Sequence, residues 1–348
     1  MSKSIHIGNQ IIGGNNPVLV QSMTNTKTDH VEETVEQILE LEKNGCEMIR
    51  STVYDESCAK AIPKIKDKIH IPFIADIHFD YKMAIAAIEN GADKIRINPG
   101  NIGGKERVKA VVDCAKMHNV AIRIGVNAGS MESDLKMKYG AYSPKAMVES
   151  ALRQVQMIES FGFNNLVLSL KSSDVKNTVE AYRNISTLVE YPLHVGITET
   201  GNPSMGIIKS AIGVGSLLLD GIGDTIRISL TDKPVEEIHA AYKILRSIHL
   251  RMNDIEIISC PTCGRTRVNL MDAVKHVENN VIRNSGYLKI AVMGCAVNGP
   301  GEASDADIGI AFGNNNAVIF KKGKKYTSGN MPGILDTLVT EANKMLKE

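Results

Sequence analysis

Short runs rich in β-branched residues recur through the first 230 positions: Val18–Met23, Met48–Val53, Pro72–Ile77, Lys94–Asn98, Ala121–Asn127, Leu166–Lys171, Leu193–Thr198 and Thr225–Leu230. Between most of them the apolar spacing changes to the repeat of an amphipathic helix, as in Thr34–Asn44, Tyr81–Asn90, Lys105–His118, Ala146–Phe161, Val175–Val189 and Ser204–Asp220. Eight strand-then-helix units closing on themselves predict an α/β fold, the (β/α)8 or TIM barrel. The longest connection joins the fifth and sixth strands, and its Met131–Ser143 stretch is expected to cover the barrel mouth. After a helix over Val235–Ile248 and the polar joint Arg251–Asp254, the pattern changes character. It predicts strand Ile255–Ser259, helix Arg265–Val277, strand Lys289–Gly294, strand Asp307–Phe312, a hairpin through Asn314–Asn316 and a closing helix Ile334–Lys347, which together make a small α+β domain. The expected division is residues 1–252 and 253–348.

At 348 residues with 43% hydrophobic content, the chain has ample material for both cores. Its 40 basic and 39 acidic residues leave a formal charge of +1, which gives no electrostatic case for nucleic acid or a membrane surface, so any anion affinity must be local. An N-terminus without an apolar signal core, no apolar span of bilayer length and six cysteines in no secreted framework lead to the expectation of a cytoplasmic protein with reduced thiols. Cys46, Cys58 and Cys114 each stand alone in helical or mixed patterns and read as buried core residues.

In such a barrel the site forms at the carboxyl ends of the strands. The second strand carries Arg50, the third ends in Asp76 and His78, the fourth has Arg96 and Asn98, and the fifth Arg123 and Asn127. The sixth ends in Lys171, the seventh in Thr198 and Glu199, and the eighth carries Arg227 and Ser229. A cation on five of eight strands, pointing into one mouth, predicts a basin for phosphate, because guanidinium forks match phosphate oxygens and Asn or Ser add neutral hydrogen bonds. Pairing of these arginines with Asp76, Asp93, Asp224 or Glu199 is the structural alternative. Glu199, a carboxylate among cations, is the candidate general acid or base, with His78 second. Gly201–Gly206 and Gly213–Gly223 read as glycine-rich loops of the kind that seat phosphate in barrels.

The last third carries Cys260-Pro-Thr-Cys263 and Gly294-Cys295-Ala-Val-Asn-Gly-Pro-Gly-Glu302. Three thiols and a carboxylate in this frame read as an iron–sulfur site with one exchangeable, non-sulfur ligand. A structural zinc site of Cys260, Cys263, Cys295 and His276 is a second reading, and thioredoxin-like exchange, which needs no third thiol, a third. The turn at Asn298–Gly301 would let backbone N–H groups approach such a site, and a helix starting near Cys263 would aim its positive end there. Lys321, Lys322, Lys324 and Lys325 read first as protection of an edge strand.

The motifs Ala75-Asp-Ile-His-Phe-Asp80, Arg96-Ile-Asn-Pro-Gly-Asn-Ile-Gly103, Gly196-Ile-Thr-Glu-Thr-Gly201, Gly221-Ile-Gly-Asp-Thr-Ile-Arg227 and the two cysteine motifs resemble the 4-hydroxy-3-methylbut-2-enyl diphosphate synthases over essentially the whole chain. The resemblance implies a [4Fe-4S] cluster on Cys260, Cys263, Cys295 and Glu302. It also implies reductive ring opening and dehydroxylation of 2-C-methyl-D-erythritol 2,4-cyclodiphosphate in the methylerythritol phosphate route to isoprenoids. By the same similarity Arg50, Arg96, Arg123, Lys171 and Ser229 would hold the cyclic diphosphate, with Asp76, His78, Asn98 and Asn127 nearby and Glu199 as acid–base group. The short joint matches the two-domain bacterial form, which implies flavodoxin or ferredoxin as electron donor. It also suggests a head-to-tail homodimer in which one subunit's cluster caps the other's barrel. A zinc-bearing barrel transferase of the dihydropteroate synthase kind and a non-catalytic electron carrier are the rival readings.

Overall fold

The computed structural model describes every residue except 1, 128, 130, 141–142, 253, 284–285, 298–300, 302, 332 and 348. Two compact units divide the chain, Met1–Leu250 and Arg251–Glu348. Among the described residues, no helix is long and apolar enough to cross a membrane.

The first unit opens with a hairpin that periodicity did not reveal, β1 (Ile5–Ile7) and β2 (Gln10–Ile12). Eight parallel strands follow: β3 (Leu19–Met23), β4 (Met48–Thr52), β5 (Phe73–Asp76), β6 (Lys94–Ile97), β7 (Ala121–Asn127), β8 (Leu166–Lys171), β9 (His194–Val195) and β10 (Thr225–Ile226). They pair in the order β8-β7-β6-β5-β4-β3-β10-β9, and a single parallel bridge from Leu168 to Leu193 joins the two ends. This is the expected (β/α)8 barrel. Ile5, Ile7 and Ile12 of the hairpin pack against Leu19, Met48, Ile74, Ala121 and Val167, all at or near strand beginnings, and so close the barrel's amino-terminal end. Each fully buried aliphatic side chain there contributes roughly 1.5–3 kcal/mol.

The helices of this unit are α1 (Val31–Lys43), α2 (Glu56–Lys66), α3 (Tyr81–Glu89), α4 (Lys105–Met117), α5 (Ser133–Tyr139), α6 (Pro144–Glu159), α7 (Val175–Ser186), α8 (Pro203–Leu219) and α9 (Pro234–Ser247). Caps set several starts: Asp55 accepts from Cys58 N–H ahead of α2, Asp174 from Asn177 N–H ahead of α7 and Asn202 from Met205 N–H ahead of α8. Within the Met131–Ser143 stretch, α5 is anchored to α6 by Asp134–Arg153 at 2.6 Å and by the Tyr139 hydroxyl on Glu149 at 2.7 Å. Cys46, Cys58 and Cys114 are buried, and burial pushes the Cys46 thiol up to about 12.

Two sequence expectations change here. The seventh and eighth strands, six residues each by their sequence pattern, are regular over two. Their backbones converge at Gly196, where a Cβ would stand 2.4 Å from the Arg227 carbonyl oxygen, and the ladder stops there. The expected phosphate-seating glycine loops are largely helix, since Gly206, Gly213 and Gly215 lie within α8. At Gly213 a Cβ would meet Ile197 Cδ1 at 2.5 Å, so this glycine lets the helix press onto the strand that follows β9's pairing.

In the second unit β11 (Ile255–Ser259), β12 (Leu288–Met293) and β13 (Ile308–Phe312) are parallel, and β14 (Ala317–Lys321) and β15 (Lys324–Gly329) complete the sheet antiparallel. Helices α10 (Leu270–Asn280) and α11 (Gly333–Met345) share a core with Ile290, Val292, Ile308 and Ile310. Ala291, Met293, Ala303, Ala306, Ala311 and Phe320 form a separate cluster with Cys260 packed against it. The helix expected from Arg265 starts five residues later. Thr266 Oγ1 accepts from Cys263 N–H, Arg267 N–H goes to the Gly294 carbonyl, and Asn269 caps the true start by accepting from Asp272 N–H. Its first residue still borders the cysteine motif: a Cβ on Gly294 would meet Leu270 Cδ2 at 3.3 Å.

Candidate active site

Strand register brings the charged residues of the barrel together. Across β5 and β6 Asp76 pairs with Arg96, and across β6 and β7 Arg96 pairs with Arg123. Arg96 Nη1 lies 3.2 Å from Asp76 Oδ1, Arg50 Nε 3.6 Å from Oδ2 and His78 Nε2 3.9 Å from Oδ2. Asp76 is only 2% exposed. Burial alone would raise its carboxyl, but Arg50, Arg96 and Arg123 outweigh it and hold it at about 2. The Arg50 guanidinium, laid against Met23 Sδ, is drawn down to about 10 by burial, with Arg227 and Arg96 adding to the effect and Asp76 opposing it.

Arg123 and Lys171 are buried, and both are pushed well below their ordinary values, first by burial and then by neighbouring cations. Arg123 Nη1 donates to Gln21 Oε1 at 3.4 Å, and its Nε has no partner among the described residues. Arg227 Nη2 reaches Glu237 Oε1 at 3.0 Å, and burial raises that carboxyl despite Arg227. Among the described residues of this unit the buried acids are Asp76 and Glu237, against the buried cations Lys94, Arg123 and Lys171, with Arg50, Arg96 and Arg227 partly buried beside them. Surplus positive charge held out of water is costly unless an anion completes it. A polyanion with several oxygens is the natural complement.

Two glycines make room for these cations. A Cβ at Gly125 would stand 2.5 Å from Arg96 Nε, and one at Gly196 would stand 2.8 Å from Lys171 Nζ. Both side chains therefore cross bare backbone.

The other sequence-predicted residues line strand ends around this cluster. Asn98 is buried and accepts from Gly100 N–H, while half-buried Asn127 sits opposite Lys171 in the β7–β8 register. Thr198 N–H donates to the Ser172 carbonyl, and the carbonyl of Ser229 accepts from the Thr200 hydroxyl. Exposed Glu199 has φ +54° and makes no ion pair among the described residues. For a side chain other than glycine, asparagine or aspartate this is an uncommon backbone state, of the kind concentrated at functional sites. Asp93 and Asp224, weighed as partners of the arginines, work elsewhere. Asp93 takes Lys66 Nζ at 2.7 Å and Phe73 N–H, and Asp224 takes Ser2 Oγ and Leu193 N–H, at the opposite end of the strands.

Sequence reasoning passed over Gln21, Lys94, Tyr182, His194 and Glu237, all polar groups inside the barrel unit. Lys94 is fully buried, its Nζ has no partner among the described residues, and burial depresses it strongly, with Arg123 and Arg50 adding to the effect. A signal for it existed: by strand alternation Lys94 faces the same side as Arg96 and Asn98.

In the second unit Cys260 is half-buried, Cys263 exposed and Cys295 buried. The Gly294 N–H donates to Cys260 Sγ at 3.2 Å, and the backbone N–H and guanidinium of Arg265 pull the Cys263 thiol below its ordinary range. N–H groups directed at sulfur favour thiolate, which suits an iron–sulfur ligand set. Glu302, the expected fourth ligand, and the Asn298–Pro300 turn lie outside the described residues. His276, the alternative zinc ligand, engages Asp336 of α11 at 3.0 Å. Among the described residues no three Cys, His, Asp or Glu side chains converge where a single ion would be held.

A parallel barrel with a desolvated cation basin, followed in the chain by a small sheet unit bearing three cysteines, defines a class: barrel enzymes with an anion-binding mouth and a thiol-bearing appendage. Within that class the chain belongs to the GcpE family, whose GcpE TIM-barrel domain matches residues 2–242 and whose GcpE protein C-terminal domain matches residues 256–344. A relative from Caldanaerobacter subterraneus subsp. tengcongensis is 56% identical over 348 residues, covering 100% of this chain and 98% of its own. Another from Fusobacterium nucleatum subsp. nucleatum is 52% identical, covering 100% and 97%. Both are named 4-hydroxy-3-methylbut-2-en-1-yl diphosphate synthase (flavodoxin), so the resemblance carried by the motifs holds along the whole sequence. Among solved structures the dihydropteroate synthase of Yersinia pestis matches with a TM-score of 0.52 at 12% identity, covering 72% of this chain and 100% of that one. That likeness is of fold alone.

Proposed function

We propose that the protein converts 2-C-methyl-D-erythritol 2,4-cyclodiphosphate to 4-hydroxy-3-methylbut-2-enyl diphosphate. In this reaction two electrons and two protons enter, a ring C–O bond breaks, the diphosphate stays on the carbon chain and a hydroxyl leaves as water. The observation that carries the reading is the surplus of buried and partly buried cations at the barrel mouth, in a chain that matches both domains of this family over residues 2–242 and 256–344. In this reading Arg50, Arg96, Arg123, Lys171, Arg227 and Ser229 hold the diphosphate oxygens, with Asn98, Asn127 and Thr198 adding neutral hydrogen bonds. Asp76 keeps Arg50 and Arg96 in place, His78 stands beside it, and Glu199 moves a proton at the departing hydroxyl.

Cys260, Cys263, Cys295 and Glu302 would hold a [4Fe-4S] cluster, which when bound supplies single-electron reduction and an iron able to exchange a ligand. Flavodoxin, named for the relatives, is the proposed donor, with ferredoxin the other candidate. A head-to-tail homodimer remains part of the proposal, motivated by the short joint between the units; an active monomer at equilibrium would remove it. The cluster is tested by iron, sulfide and zinc content with a visible spectrum on protein purified without oxygen. About four irons and four sulfides per chain, lost in Cys295→Ser, support it, and colourless protein with stoichiometric zinc overturns it.

A further inference from the structure

We propose that His194 is a positioning residue for Lys171: its imidazole, backed by Thr225, accepts one N–H of the Lys171 ammonium and so aims the other two into the barrel mouth. The inference rests on the reading of that mouth as the diphosphate site. His194 Nε2 lies 3.3 Å from Lys171 Nζ, and Nδ1 lies 2.8 Å from Thr225 Oγ1, so the contact runs across the neighbouring strands β8, β9 and β10. With an anion in the mouth to keep Lys171 charged, the ammonium has three donors and no acceptor, which makes Nε2 the accepting nitrogen and Nδ1–H the donor to the threonine hydroxyl.

The surroundings enforce that arrangement. His194 is 0% exposed, and burial, then Lys171, Arg123, Lys94 and Arg50, all disfavour an imidazolium. Lys171 in turn faces Arg123 of β7, Arg50 of β4 and Arg96 of β6, together with Arg227 just past β10, all of one sign. A neutral acceptor is the partner that holds the lysine without cancelling the charge an anion needs. Gly196 leaves the path open, and Tyr182 of α7 fixes the seam. The Tyr182 hydroxyl donates to the His194 carbonyl at 2.6 Å and accepts from Leu170 N–H at 3.0 Å, where the backbone pairing across the seam, among the described residues, is the isolated Leu168–Leu193 bridge.

The test uses full-length, cluster-loaded enzyme with two substitutions. His194→Asn removes the acceptor from Lys171, whereas His194→Gln keeps one near the Nε2 position. With His194→Asn, KM for the cyclic diphosphate should rise roughly tenfold or more while kcat changes little, and calorimetric affinity for inorganic diphosphate should fall by a similar factor. His194→Gln should recover most of both. In a Lys171→Ala background His194→Asn should add less than about twofold, because the effect passes through the lysine. An equal penalty with and without Lys171, or unchanged KM and diphosphate affinity in His194→Asn, overturns the proposal. If unsubstituted enzyme fails to turn over the cyclic diphosphate while diphosphate affinity still follows this pattern, the reaction assigned above has failed and the positioning role stands.

Discussion

Asp76→Asn removes the carboxylate that lies between Arg50 and Arg96 while keeping its shape. The folded-state value of about 2 against an ordinary 3.8 corresponds to roughly 2 kcal/mol of stabilisation by the ionised form. Breaking a buried ion pair by removing one partner costs about 3–5 kcal/mol in general, so about 3 kcal/mol is the expected loss. For a unit of this size that lowers the barrel's melting temperature by roughly 6–12 °C. Because the folded carboxyl is depressed, the stabilisation is fully present above the ordinary carboxylate range and is lost as pH falls through about 2. The gap between native and substituted protein, followed by circular dichroism, should therefore be widest near neutrality and narrow below about pH 4. Inorganic diphosphate should raise the melting temperature of the Asp76→Asn protein more than that of the native one, since it meets cations with no internal counter-charge. A fall below about 2 °C, well under the range expected for a change of this size, or equal stabilisation of both proteins by diphosphate, would refute the charge-balance argument.

Other consequences are as direct. Gly125→Ala places a Cβ where the Arg96 guanidinium lies, 2.5 Å from Nε, so KM for the cyclic diphosphate should rise by roughly tenfold with the barrel still folded; an unchanged KM would show that Arg96 does not need that path. Glu199→Gln should leave iron and sulfide content intact and reduce turnover by about 100-fold or more, as loss of a general acid–base group does. Full turnover would dispose of that role. Arg227→Met leaves Glu237 buried beside an apolar group, which should cost about 3 kcal/mol and weaken diphosphate binding, both read from thermal melts with and without diphosphate.

What was legible in the sequence, and what was not, follows from where each signal resides. Arg50, Arg96, Arg123, Lys171 and Arg227 were found because strand alternation and the rule that barrel sites form at carboxyl strand ends both act locally along the chain. Glu237 was missed because an acid in the first turn of a helix reads as an ordinary complement to the dipole. Its place one turn before Ala241, on the face buried with Ile238 and Leu245, was the available sign. Tyr182 and His194 take their meaning from a seam between strands, a tertiary fact that neither residue's own segment carries. The hairpin at Ile5–Ile12 escaped because three-residue strands are too short for periodicity to register, although its isoleucines close the barrel floor. Asn269 and Thr266 show how side-chain hydrogen bonds moved the start of α10 away from Arg265.

The measurement that bears most directly on the whole account is anaerobic turnover of 2-C-methyl-D-erythritol 2,4-cyclodiphosphate by the cluster-loaded protein with reduced flavodoxin. The account predicts 4-hydroxy-3-methylbut-2-enyl diphosphate and water, one product for each two electrons consumed. Intact cyclic diphosphate after incubation, with the cluster present and the donor reduced, would contradict it.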